Sequence, residues 1–281
     1  MREMMPEQMK FQPMTEAIGI EVTGIDLSLP ISPDTRAALR TVLAEHLVMV
    51  VRDQSFTPET LLTAVGNFGP IMRQHLASLL LPDHPLIVAL DSSKTNVGAD
   101  GHSVAIGARD WHTDHAHQER PPNYTALSAV RLPQTGGDTS FANMQRAYEN
   151  LPNALRGRLD GMTVITKIDD RYSTAEDKAA HAEPNRHPLV RTHPITKKRG
   201  IFVHPGMVAR FDGMESEESQ MFLEDLLETT ITPDITYRHR WCPGDLVITD
   251  NRGQMHVAHQ DYDLSFGRIL HRVLVEGEAP Y

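Results

Sequence analysis

Apolar and polar positions alternate with two different periods along this chain, and the switches between them outline its elements. The stretch Ile18-Gly-Ile-Glu-Val-Thr-Gly-Ile-Asp26 alternates apolar with polar or small residues, the pattern of a half-buried strand. Ser32-Pro33 then supplies an N-cap and a first-turn proline. Leu39, Val42, Leu43 and Leu47 follow at helical spacing, which predicts an amphipathic helix over 33–47. Val48–Val51 reads as a short buried strand, Thr57-Pro58 as the start of a helix that stops near Gly69-Pro70, and Leu86–Leu90 as a strand. From Asp91 to Asp110 the chain is rich in Ser, Gly and Asp and loses its periodicity. A loop of that length inside a compact domain is usually functional, and this one is expected to act as a lid.

Further strands are predicted at Tyr124–Leu132, Asp138–Ala142, Met162–Ile168, Leu189–Thr192, Ile201–Val203, Ile235–Trp241, Leu246–Thr249 and Arg268–Glu276. Helices are predicted at about 143–159 and 216–230, the second capped by Ser216 and carrying Phe222, Leu223, Leu226 and Leu227 on one side. Many short strands joined by Gly/Pro turns favour a mainly β fold with flanking helices (α+β), one domain over 1–281 with residues 1–12 flexible. There is no βαβ alternation and no Gly-rich phosphate loop, which argues against a dinucleotide-binding fold.

Composition narrows the function. Of 281 residues 40% are hydrophobic and 23% charged, ordinary values that exclude a disordered chain, a coiled coil or a collagen-like repeat. Twenty-seven Lys and Arg face 37 Asp and Glu, a net charge of −10, so no nucleic-acid or anionic-membrane partner is expected. The lone Cys242 excludes an intramolecular disulfide and a Cys-based zinc site. The first twelve residues contain Glu3, Pro6 and Glu7 and no continuous apolar stretch, so no leader or membrane segment is read and a cytoplasmic protein is expected. The unusual count is 15 His, and imidazole is the commonest metal ligand.

Trp111-His112-Thr113-Asp114 places an imidazole and a carboxylate two residues apart, hence on one face of an extended chain. Such a pair leaves a metal half-bound, so a third ligand must come from elsewhere. The spacing within His112-Thr-Asp114-His115-Ala-His117 does not fit a dinuclear zinc hydrolase, and His115 and His117 are read as pocket-rim or solvated residues. Near the C-terminus, Asp250-Asn251-Arg252-Gly-Gln-Met-His256-Val-Ala-His259 follows a strand, with His259 the alternative to His256 as a ligand. In the final strand Arg268, Leu270 and Arg272 share one face, their backbones roughly 13 Å apart at about 3.3 Å per residue. An Arg turned into a barrel interior demands an anion.

With Val51-Arg52-Asp53-Gln54, Gly136-Gly137-Asp138-Thr139 and Arg191-Thr-His193-Pro at their positions, the chain resembles the taurine dioxygenase/2,4-dichlorophenoxyacetate dioxygenase family of Fe(II)- and 2-oxoglutarate-dependent oxygenases, from about Ile18 to Gly277. The resemblance implies a double-stranded β-helix (jelly-roll, cupin-like) core. It implies Fe(II) held by His112, Asp114 and His256, the set expected of non-haem Fe(II) oxygenases. It implies 2-oxoglutarate contacted by Thr139 and Arg268, O2 as the other co-substrate, and Arg272 reaching the anionic head of substrate or co-substrate. The His that grips sulfonate in the taurine enzyme is matched to Met72, an Asn before the iron motif becomes Ala108, a pocket Phe becomes Met207, an Asn becomes His204, and a Trp becomes Thr249. These departures argue against taurine itself.

The implied activity is hydroxylation of a small organic, anionic substrate with release of succinate and CO2, by a homo-oligomer (dimer or tetramer). Alternatives are the same cofactor chemistry used for desaturation, ring formation or C–O/C–S cleavage, and an inactive cupin-like binding protein. Retention of all three ligands and both arginines argues against the last.

Overall fold

In a computed structural model, residues 9–74, 79–97, 103–105, 110–168, 179 and 183–281 are described. In chain order, β1 (Lys10–Pro13) and β2 (Ile20–Thr23) lead to α1 (Pro33–His46), β3 (Val48–Val51), α2 (Pro58–Gly66), β4 (Ile71–Met72), β5 (Leu80–Leu81) and β6 (His84–Asp91). A short ribbon, β7 (Thr95–Val97) with β8 (Ser103–Ala105), precedes β9 (Tyr124–Arg131), β10 (Thr139–Asn143), α3 (Met144–Glu149) and α4 (Asn153–Leu159). Then come β11 (Thr163–Thr166), β12 (Arg186–Pro188), β13 (Val190–Thr192), β14 (Arg199–Ile201), β15 (Val208–Phe211) and α5 (Ser216–Thr230). The chain closes with β16 (Thr236–His239), β17 (Leu246–Asp250), β18 (Gln254–Ala258) and β19 (Ile269–Val275).

A nine-stranded sheet runs β1-β2-β3-β17-β9-β19-β6-β5, with β4 on β19. Its strand pairs are antiparallel except β2 with β3. The three-stranded sheet β16-β10-β18 covers one face of it, and this facing pair forms the jelly roll. The period-two rule explains why β3 is apolar throughout. Met49 and Val51 pack with Leu39 and Leu43 of α1 and Leu61 and Val65 of α2, while Val48 and Val50 pack on the other side with Val247 of β17 and Phe141 of β10. A second core lies under α3, α4 and α5 and includes Leu159, Val164, Phe211, Leu223 and Leu226.

The helix starts follow their cap residues. Ser32 Oγ accepts from the Thr35 amide, and Thr57 and Thr60 form a reciprocal capping box. Ser216, expected as a cap, is the first residue of α5, whose cap position is Glu215. The helix predicted at 143–159 is two helices, because Pro152 cannot donate within a continuous helix and instead starts the second. The sequence does not predict strands β1, β4, β5, β7, β8, β12, β15 and β18. Part of the stretch expected to be flexible is β1, paired with β2, while residues 1–8 lie outside the described residues. The lid expected at 91–110 contains the β7–β8 ribbon, and its residues 98–102 and 106–109 also lie outside them. Among the described residues no helix is long and apolar enough to cross a membrane.

Candidate active site

Strand pairing brings the distant ligand candidates together. His112 forms an isolated antiparallel bridge with His256, its N–H donating to the His256 carbonyl at 3.0 Å and its carbonyl accepting from the His256 N–H at 2.8 Å. Their rings lie 4.2 Å apart. One ligand atom from each of His112, Asp114 and His256 lies within 4.8 Å of the others, and no other such group of three is found among the described residues. His259 is engaged elsewhere, with Nε2 2.7 Å from Ser140 Oγ.

Hydrogen bonds hold His112 and Asp114 so that each keeps one atom available. His112 Nδ1 lies 2.8 Å from the Asp110 carbonyl, which only accepts, so Nδ1 carries the proton and Nε2 keeps its lone pair. Thr125 Oγ1 donates to Asp114 Oδ2 at 2.5 Å, leaving Oδ1 3.8 Å from His112 Nε2 and 3.6 Å from Arg272 Nη1. Asn251 Nδ2 donates in turn to Thr125 Oγ1, and the Gln254 side-chain amide bridges Asn251 Oδ1 and His256 Nδ1. Burial alone would raise the Asp114 carboxyl. The Arg272 guanidinium leads the charges that outweigh it and hold that group well below the usual carboxylate range. Burial, followed by His112, pushes His256 down to about 3, so it is a neutral imidazole. A carboxylate and two imidazoles crowded without side-chain hydrogen bonds to one another are a donor set for a divalent metal.

Thr139 and Arg268 flank the same interior. Thr139 and Phe141 share a face of β10, opposite Ala258 and His256 of β18. Arg268 is buried and its Nε and Nη2 have no hydrogen-bond partner, a configuration that costs several kcal/mol unless an anion is supplied. Burial lowers its pKa, with Tyr262 and Asp138 opposing. Gly137 makes room for it: at φ +71° this residue favours glycine, and a Cβ there would lie 3.0 Å from Arg268 Cδ. A dicarboxylate with one end on the metal and the other on this guanidinium fits these unfilled needs.

Arg272 is aimed by a residue that sequence reasoning missed. Its Nε donates to Gln74 Oε1 at 3.0 Å, and Gln74 Nε2 donates to the Leu86 and Arg272 carbonyls, so the amide is fully committed. Arg272 Nη2 has no partner. Met72, the position matched to the sulfonate-gripping His of the taurine enzyme, is in β4 beside Leu274, two residues before Gln74. The His204 ring lies tilted near that of His112 with centroids 5.2 Å apart, and Met207 Sδ lies 3.2 Å from His117 Nδ1. His117 is therefore buried, which removes the solvated alternative of the sequence reading and leaves the pocket-rim one, because its segment folds under the Met207 turn and its carbonyl takes the Asn185 side-chain amide. Ala108 lies outside the described residues, and Thr249 is buried in β17.

The family profile described as "Taurine catabolism dioxygenase TauD, TfdA family" matches residues 10–274. The alpha-ketoglutarate-dependent 2,4-dichlorophenoxyacetate dioxygenase of Cupriavidus pinatubonensis is 31% identical, the alignment covering 94% of this chain and 95% of that one. An alpha-ketoglutarate-dependent sulfate ester dioxygenase of Pseudomonas putida is 29% identical over 97% of this chain and 91% of its own. The crystal structure of a taurine dioxygenase from Burkholderia xenovorans superposes with a TM-score of 0.81 and 29% identity, covering 97% of this chain and 91% of that one. A profile match running from β1 to the end of β19, with relatives aligned over nearly their full length, shows that the chain belongs to the TauD/TfdA family of dioxygenases.

Proposed function

We propose that this protein oxygenates a small organic anion using Fe(II), 2-oxoglutarate and O2. His112, Asp114 and His256 would hold the iron, Thr139 and Arg268 the distal carboxylate of 2-oxoglutarate, and Arg272 the anionic group of the substrate. The observation that carries the reading is one interior holding a three-ligand cluster and two buried arginines with unpartnered N–H groups. When bound, iron and 2-oxoglutarate activate O2, and the products are succinate, CO2 and an oxidised substrate. The protein's own work is to keep water out, to fix His112 in the Nε2-ligating tautomer, and to hold Arg272 at a set angle through Gln74. The relatives named for a phenoxyacetate and a sulfate ester both act on organic anions, which supports the same class here.

The test is an anaerobic titration of Fe(II) protein with 2-oxoglutarate, followed by aerobic assay against aryloxy carboxylates, sulfonates and sulfate esters. A visible charge-transfer band, then substrate-dependent succinate with a product heavier by one oxygen or cleaved, is the expected result. No band and no succinate with any anion would overturn the proposal. We further infer a cytoplasmic homo-oligomer, dimer or tetramer; a light-scattering mass of one chain would refute the assembly.

A further inference from the structure

Trp241 meets both groups assigned to the distal carboxylate. Its indole Nε1 donates to Thr139 Oγ1 at 3.1 Å, and Arg268 Cζ lies 5.6 Å from its ring centroid. The ring also meets His239, whose ring stands at 85° to it with centroids 4.7 Å apart. His239 cannot turn, because Nε2 is 3.0 Å from Asp245 Oδ2 and Nδ1 is 2.9 Å from the Tyr237 hydroxyl. Asp245 is itself clamped by both oxygens on Arg52 and by the Cys242 amide. A rigid polar scaffold therefore holds one indole ring in a set plane.

That plane has a consequence for Thr139. A hydroxyl has two lone pairs and one hydrogen, and its rotor settles where its partners direct it. The indole N–H can only donate, so it occupies a lone pair of Oγ1 and the Thr139 hydrogen must point elsewhere. Among the described residues that hydrogen has no acceptor. Arg268, drawn to the ring face, offers its own unpartnered Nε and Nη2. We propose that Trp241 is a positioning residue for the distal carboxylate of 2-oxoglutarate, orienting the Thr139 O–H as a donor and holding the Arg268 guanidinium in place. The inference rests on the reading above that Thr139 and Arg268 take that carboxylate.

Affinity is measured by the charge-transfer band of anaerobic Fe(II) protein, for 2-oxoglutarate and for 2-oxobutyrate, which lacks the distal carboxylate. Trp241→Phe keeps a ring and loses the N–H. It should weaken 2-oxoglutarate about 3- to 10-fold, the worth of one buried hydrogen bond, and change 2-oxobutyrate by less than about twofold. Added to Thr139→Val, it should cost little more than Thr139→Val alone, since the N–H then has no hydroxyl to direct. Wild-type 2-oxoglutarate affinity, an equal loss for both oxoacids, or a fully multiplicative loss in the double variant would each overturn the inference. If Thr139→Val and Arg268→Gln both retain wild-type affinity, the underlying assignment fails instead, whatever Trp241→Phe does. Should Trp241→Phe not fold, benzothienylalanine at 241, which replaces N–H by sulfur at constant shape, gives the same readout.

Discussion

Two buried clusters of Asp, His and Arg meet at the β17–β18 hairpin, built from the same residue types and opposite in how they are satisfied. In the first, Asp250 Oδ1 accepts from the Arg252 amide and Nε, and Oδ2 from Arg252 Nη2 and His193 Nε2. Arg252 Nη2 also donates to the Tyr124 hydroxyl, and the tail residue Glu278 accepts from Arg191. In the second, Asp114 Oδ1 has only His112 at 3.8 Å and Arg272 at 3.6 Å, both beyond hydrogen-bond distance. Arg268 and Arg272 keep unpartnered N–H groups. The paired cluster holds the turn before His256 in shape, and the unpaired one is left for ligands to complete. Burial and charge are common to both, and Arg191 in the first cluster also keeps an unpartnered Nε and Nη1. What separates scaffold from site is the aspartate, bonded at both oxygens at 250 and open at Oδ1 at 114.

The sharpest way to break this contrast is to remove each aspartate. Asp250→Ala leaves Arg252 and His193 buried without their counter-charge and should cost about 3–5 kcal/mol in urea unfolding. Asp114→Ala in metal-free protein gives up one bond, from Thr125, and the nearest carboxylate of Arg272, so it should cost less than Asp250→Ala, whose two oxygens take four bonds, while abolishing iron binding. Equal destabilisation would collapse the distinction. Next, Arg268→Ala should weaken 2-oxoglutarate by more than about tenfold, whereas Arg272→Ala should mainly uncouple its turnover from product formation. Loss of 2-oxoglutarate affinity in Arg272→Ala alone would reverse the two roles.

Acidification gives a smaller effect. The folded pKa of His256 lies at about 3, below its unfolded value near 6.5. Between those values the unfolded chain binds a proton that the folded protein refuses, so stability is full above about pH 6.5 and falls as pH drops toward 3. From pH 7.5 to 5 this should remove about 2 kcal/mol from metal-free protein. Burial lowers His187 and His271 as well, with the same sign, so the readout is the shallower acid loss of His256→Gln relative to wild type. The smallest effect is expected at His259→Ala, which gives up one hydrogen bond to Ser140 and should keep its iron, unlike His256→Ala. Metal analysis of both variants checks this.

The sequence disclosed what depends on local spacing. His112 and Asp114 are two apart on an extended segment, and α1 and α2 carry their caps next to their apolar stripes. What it hid are partnerships across the fold. Gln74 precedes Arg272 by most of the chain, and Thr125, which holds Asp114, reads only as a strand residue. No composition or periodicity marks a glutamine as the clamp on a particular guanidinium. Strand β1 was illegible for another reason: it is an exposed edge ending in Pro13, with no buried face to impose alternation. The break between α3 and α4 was available in Pro152, had the proline been weighed above the run of helix formers around it.

The order of the large sheet also bears on how the protein comes off the ribosome. Early strands lie beside late ones, β3 against β17 and β6 against β19, so neither half of the chain can close the sheet by itself. The His112 and Asp114 pair is synthesised long before the strand that carries His256 emerges. Folding to a metal-competent state must therefore wait for nearly complete translation, and a topology of such distant pairings predicts slow, late closure of the barrel. A nascent chain stalled before β18 would present His112 and Asp114 without His256, which keeps the proposed iron site from assembling on an unfinished protein.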